Sequence, residues 1–323
     1  MLRALITGGA GFVGSHLAEY LLARGQHVTI IDDLSTGQLK NLDAEQANPN
    51  LRFVVEDIRN AMVIDRLVSE SDVVYHLAAV LGVQKVLNEP LHTMEVNIGG
   101  TEAVLKAAHR YRKKILVAST SEVYGKGVSF PFREDDDRLL GPTSRNRWSY
   151  ATSKAIDEFL TLAYHQETEL PVVIFRLFNT VGPRQTGKYG MVLPRFVRWA
   201  LAGEPIQVYG DGEQSRCFGN VYDVIRAIHL LSEEPKAIGE IFNIGTTEEV
   251  TIGQLAERVR VRAGSTSEIQ KIPYEQAYTS GFEDFRRRVP SIEKIIQTVE
   301  WKPTTPLDDT IDQIIQFYKE AGV

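Results

Sequence analysis

Cysteine is almost missing from this 323-residue chain, and the lone Cys217 excludes both an internal disulfide framework and a multi-cysteine zinc site. That usage fits a reducing compartment, and no metal centre is expected. No apolar run approaches the ~18 residues a membrane span requires. Met1-Leu2-Arg3 leads straight into a glycine-rich loop, which leaves no room for a secretory leader, so a cytoplasmic protein with no membrane partner is expected. Long runs of like charge, low-complexity tracts and internal repeats are also lacking. The net charge of -6 speaks against a general polyanion-binding surface, and nucleic acid is not an expected partner.

What the sequence does contain is an ordinary globular balance, 43% hydrophobic and 24% charged, at a length that suits two lobes better than one core. Its first thirty residues are the most informative. Arg3 to Thr7 is a short apolar run that ends at Gly8-Gly9-Ala10-Gly11-Phe12-Val13-Gly14, and Ser15 to Arg24 then carries apolar residues at helical spacing. In such a strand, turn and helix, Gly8 permits the tight turn, Gly11 would let backbone approach a pyrophosphate, and Gly14 would let helix pack close on strand. A second apolar strand, His27 to Ile31, ends at Asp32, about twenty residues past the loop, where a carboxylate can accept both ribose hydroxyls of NAD and repel the 2′-phosphate of NADP.

Further strands are expected at 72–75 and 115–118, with a helix over about 93–111 between them, giving a doubly wound parallel α/β sheet of Rossmann type. His76-Leu77-Ala78-Ala79 falls at a strand's C-terminal end, where ligands of such sheets collect, so Leu77, Ala78 and Ala79 are assigned to NAD. His76 is expected to be a satisfied core histidine. Tyr150 and Lys154 stand four apart on one helix face running to about Gln166. A lysine ammonium and the nicotinamide charge can both bring a phenol toward working pH, so Tyr150 can take a hydroxyl proton as hydride leaves the same carbon, with Thr120 bonded to that oxygen.

The spacing Thr7-Gly8-x-x-Gly11-x-x-Gly14, with Tyr150-x-x-x-Lys154 downstream, resembles the extended short-chain dehydrogenase/reductases, in particular the NAD-dependent nucleotide-sugar epimerases and dehydratases, over essentially the whole chain. The resemblance implies that Phe12 and Val13 join the glycines in holding NAD, that Asp57 and Ile58 meet the adenine, and that Asn97 binds a site water or neighbouring backbone. It implies an NAD-binding lobe of residues 1–178, to which 217–250 return, and a sugar-nucleotide lobe of 179–216 and 251–323, the latter with helices over 252–263 and 307–321. Asn179, Arg216, Arg287 and Arg288 would contact the substrate, most commonly a UDP-sugar, and the helices around 93–111 and 150–166 would form a homodimer interface.

The family begins by oxidising sugar C4, and neighbouring residues decide the outcome. Thr120-Ser121-Glu122-Val123-Tyr124-Gly125, Arg147-Trp148 before Tyr150, and Arg288-Val289-Pro290-Ser291-Ile292 resemble UDP-glucuronate decarboxylases, in which the glutamate and the late arginine sit by the sugar carboxylate. Decarboxylation with Glu122 and Arg288 as catalytic residues is therefore the first expectation. A UDP-glucose or UDP-glucuronate 4-epimerase is the alternative, and Leu81-Gly82-Val83-Gln84 has an epimerase-like look. A 4,6-dehydratase would use Glu122 to take the C5 proton, but Ser121 stands where dTDP-glucose dehydratases carry aspartate. A cofactor-binding regulator is a rival that intact Thr120, Tyr150 and Lys154 do not favour, and a simple oxidoreductase is another, which steady accumulation of NADH during turnover would mark.

Overall fold

A computed structural model of the chain describes residues 1–187, 190–277 and 286–322. Strands β1 (Arg3–Thr7), β2 (His27–Asp32), β3 (Leu51–Val55), β4 (Val73–His76), β5 (Lys114–Thr120) and β6 (Val172–Leu177), together with a seventh strand, Glu240–Ile244, form one parallel sheet. Side by side the order is Glu240–Ile244, β6, β5, β4, β1, β2, β3. The strands are apolar almost throughout because helices cover both faces, as parallel sheets require. The expected doubly wound α/β architecture is the one observed.

On one face lie α1 (Phe12–Leu22) and α7 (Val221–Glu233); on the other lie α2 (Ala61–Ser69), the short α3 (Val83–Asn88), α4 (Pro90–Arg110) and α5 (Ser149–Thr168). Helix α1 starts at Phe12, three residues before the Ser15 expected from apolar spacing, with Gly11 as its extended N-cap. Helices α2, α6 (Val192–Ala202) and α7 are additions to the expected set, although α6 and α7 each bury an apolar stripe. Helix α4 takes Pro90 at its first turn, where a missing N–H costs nothing.

A separate apolar core gathers α6, α8 (Ile252–Arg262) and α11 (Leu307–Glu320), around residues such as Phe196, Leu255 and Ile311. Helix α8 is fixed by a capping box in which Thr251 and Gln254 bond reciprocally. Between these helices run the four-residue α9 (Tyr274–Ala277) and α10 (Glu293–Val299). Ile292, Ile295 and Trp301 pack with α1 and α7 instead, and the Trp301 indole donates to the carbonyl of Asp223 at 3.0 Å. The late chain thus straps back over the first core after visiting the second.

A buried polar network locks the strand ends beneath the site. Arg176 on β6 pairs with Glu158 on α5 at 2.7 Å and donates to the Tyr124 hydroxyl at 2.8 Å, which in turn donates to Asn243 at 2.7 Å. Fully satisfied networks of this kind rigidify what they join. Among the described residues no helix is long and apolar enough to cross a membrane.

Candidate active site

The strand order reverses between β1 and β4, and the crevice that opens there at the carboxyl ends is where ligands of such sheets bind. Gly8, at the end of β1, has φ +72°, and a Cβ on it would sit 2.8 Å from the Ala78 backbone at the end of β4. A side chain on Gly14 would run into the carbonyl oxygen of Gly8, so the close helix-to-loop packing expected of that position is present. The crevice opens into a single cavity of about 480 Å³ that continues past the end of β5 to the second core.

At one end the cavity is lined by Gly8, Phe12, Val13, Asp32, Asp57 and Ile58, with Leu77, Ala78 and Ala79 beside them. The Asp32 carboxylate accepts from the amides of Ala10 (3.0 Å) and Leu34 (2.8 Å), and Gly37 packs so near that its Cβ would lie 2.6 Å from Oδ1. Burial raises its pKa while those amide bonds oppose the rise. This small-residue cradle with a carboxylate at its edge fits an NAD. His76 is buried between Thr7 (2.8 Å) and Thr101 (3.0 Å), and burial followed by the Lys154 charge lowers it to about 3, as a neutral core histidine.

In the middle stand Thr120, Tyr150 and Lys154. Thr120 caps the turn after β5 by accepting from the Glu122 amide at 3.2 Å. Lys154 is buried and bonded to Asp157 at 2.7 Å. Burial, then the Glu122 charge, pushes the Tyr150 phenol up, against a hydrogen bond from Thr120. Asp157 adds to the rise and Arg147 opposes it.

At the far end Glu122 is pinned between guanidiniums. Arg147 donates to its Oε2 at 2.5 Å with the two side chains 4% and 15% exposed, and Arg288 stands 3.9 Å from Oε1 while donating to Ser121 at 3.4 Å. Burial alone would raise the Glu122 carboxyl, but Arg147, Arg288 and Arg216 together hold it below the ordinary range. Among the described residues this is one carboxylate among three cations, a net positive end. Arg216 and Asn179 both line the cavity, and Asn179 is fixed by donating to the Cys217 carbonyl at 3.0 Å.

Three of the expected contact residues have partners within the chain. The Gly11 amide closes the turn onto the Gly8 carbonyl at 3.1 Å. Asn97 is buried and bonds the neighbouring backbone, meeting the N–H and carbonyl of Val80 at 2.7 and 3.2 Å and so pinning the loop after β4. Arg287 and Arg288 form a two-residue strand whose side chains alternate, so Arg288 points in and Arg287 points out, held bidentately by Glu249 at 2.8 and 2.9 Å. Conversely, Arg147 stands out in the sequence only as part of a resemblance. Its position three residues before Tyr150, ahead of α5, is the available signal.

The family described as GDP-mannose 4,6 dehydratase matches residues 5–314. A UDP-N-acetyl-alpha-D-glucosaminuronate decarboxylase of Bacillus cytotoxicus is 43% identical over 319 residues, 98% of either chain. A UDP-glucuronic acid decarboxylase 1 of Danio rerio is 35% identical, with 98% of this chain aligned to 72% of that one. Among solved structures, a UDP-glucuronic acid 4-epimerase of Bacillus cereus in complex with UDP-glucuronic acid and NAD has TM-score 0.89 at 29% identity, covering 99% of this chain and 100% of that one. With its parallel sheet, its cradle and its Thr120, Tyr150 and Lys154 in one cavity, the chain belongs to the extended short-chain dehydrogenase family of nucleotide-sugar epimerases and dehydratases.

Proposed function

We propose that this enzyme decarboxylates a UDP-hexuronate through a 4-keto intermediate. The observation that carries this reading is the buried Glu122 held by Arg147 and Arg288 beside Tyr150, which gives the hydride site an excess of positive charge where a sugar carboxylate would stand. A neutral hexose would bring no counter-charge to the excess positive charge that remains once Glu122 is paired.

NAD supplies an acceptor for the C4 hydride and later returns it. Tyr150 takes the C4 hydroxyl proton, Thr120 bonds the same oxygen, and Lys154 would hold the nicotinamide ribose. Arg147 and Arg288 orient the C5 carboxylate, which is now β to a ketone. The C5–C6 bond breaks with its electron pair passing to the C4 oxygen, CO2 departs, C5 takes a proton from water, and Tyr150 gives its proton back to the C4 oxygen when the hydride returns. Glu122, ionised and paired, serves to place the guanidiniums. Arg216 and Asn179 are assigned to the substrate diphosphate and sugar, and Gly8, Asp32, Asp57 and Ile58 to NAD. We assign the cofactor to the lobe built on the parallel sheet and the sugar nucleotide mainly to the lobe built on α6, α8 and α11. The faces of α4 and α5 that expose Leu91 and Phe159 are assigned to a homodimer interface, and the protein to the cytoplasm.

The similarity to a UDP-glucuronic acid 4-epimerase favours one second reading, in which the keto sugar turns over and keeps its carboxylate. Incubating the protein and NAD with UDP-glucuronate, its 2-acetamido analogue and UDP-glucose, with products read by mass spectrometry and NMR, separates the two. Loss of CO2 from either uronate supports decarboxylation, whereas an inverted C4 at unchanged mass replaces it with epimerisation.

A further inference from the structure

One buried charge has no task in the hydride and decarboxylation chemistry. Asp157 lies one turn past Lys154 on α5, with the two side chains 0% and 3% exposed, and its Oδ2 accepts from Lys154 Nζ at 2.7 Å. A carboxylate in that position is costly to bury and is retained only with a partner. Hydride transfer from C4 asks nothing of it.

The charges around the pair can be named element by element. Glu122 faces Tyr150 from the end of β5, and Arg147 faces it from the turn before α5. His76 comes from the end of β4, held between Thr7 and Thr101. Glu158, next on the helix, is committed to Arg176 and Ser119. Lys154 is thus the cation on the Tyr150 helix closest in sequence to the phenol, and its immediate ionic partner is Asp157.

We infer that Asp157 is a positioning residue for Lys154: it fixes the ammonium in a buried, net-neutral pair, so that the lysine is oriented toward the cavity without by itself ionising Tyr150. An ion pair presents a dipole where a lone ammonium would present a full charge, and its field falls off faster with distance. Asp157 and Glu122 both add to the burial that keeps the phenol protonated. The base would then reach working strength only when the positive charge of oxidised NAD stands beside it, which ties proton removal to the loaded, oxidised state. The inference rests on the Tyr150–Lys154 chemistry of the proposed function but not on the identity of the sugar.

The test uses the NAD-loaded protein and its Asp157→Asn variant, which keeps shape and an acceptor but removes the charge. Asp157→Ser serves where the first variant fails to fold. Tyrosinate is titrated by ultraviolet absorbance as the difference between each protein and the same protein carrying Tyr150→Phe. The Tyr150 transition should move down by about one pH unit, roughly tenfold more phenolate at a given pH. The acid limb of kcat/KM should shift with it, with NAD affinity little changed. An unmoved transition accompanied by a lower melting temperature would reduce Asp157 to a structural acid and overturn the inference. Failure of the decarboxylase reading would appear separately, as wild-type protein that releases no CO2 while the tyrosinate shift persists.

Discussion

At one end of the cavity the chain presents backbone and small side chains, with Gly8, Ala78 and Ala79 on the same wall as Asp32; at the other it presents, among the described residues, Arg147, Arg216 and Arg288 with the one carboxylate of Glu122. The first is a shape, made by omitting side chains at a strand-to-helix turn. The second is a charge arrangement, made by burying side chains that water would otherwise hold. A shape fails through a collision, and a charge arrangement fails through loss of a partner, so the two ends should break in different ways.

The largest effect is expected where the two meet. Tyr150→Phe should lower turnover by roughly 10³-fold or more, because a positioned acid–base group contributes about that much. NAD and UDP-sugar affinities should stay near wild type, since neither end is touched. Calorimetric titration beside steady-state kinetics checks this, and unchanged turnover would remove Tyr150 from the chemistry.

Next in size is the cationic end. Arg147→Met strands a buried carboxylate, and breaking such a pair costs about 3–5 kcal/mol. Urea unfolding should show that loss, and Glu122→Gln added to it should recover part, giving a coupling energy from the four-protein cycle. Additive effects would mean that the 2.5 Å pair carries no stability. At the glycine end, Gly8→Ala places a Cβ 2.8 Å from the Ala78 backbone at a φ of +72°. About 1–3 kcal/mol of stability should be lost, together with NAD affinity, while the pairing of Glu122 is undisturbed.

The same contrast explains what could be read from sequence. The glycine end is contiguous: the turn, the helix start and Asp32 all fall within the opening strand, helix and strand, and the period of the apolar pattern switches where the turn is. The parallel sheet is legible from that alternation. The cationic end draws on four separate stretches of chain, and no local pattern says that Arg147 and Arg288 meet at Glu122. Family resemblance brings out Arg288 and Glu122 but leaves Arg147 without a role. Nor can it tell Arg288 from Arg287, because that choice depends on which face of a two-residue strand turns inward.

Acid separates the two ends more gently. His76 behind the glycine end has its pKa lowered to about 3, by burial first and then by Lys154, and His16 on α1 is lowered to about 4, chiefly by burial. Both folded values lie below the unfolded ~6.5, so as pH falls through that value the unfolded chain binds protons that the native state refuses. Stability should drop by about 1.4 kcal/mol per pH unit for each histidine until the folded values are reached. Glu122 acts lower down. Its folded pKa lies below the unfolded ~4.3, so its contribution is complete above that value and is lost only as pH falls beneath it. Urea unfolding between pH 7 and pH 4 should therefore slope from the outset in wild type, less steeply in His76→Gln, and no differently in Glu122→Gln until about pH 4.3. A flat wild-type profile down to pH 5 would mean that the histidines accept protons in the native state, and that the glycine end is held less tightly than its burial implies.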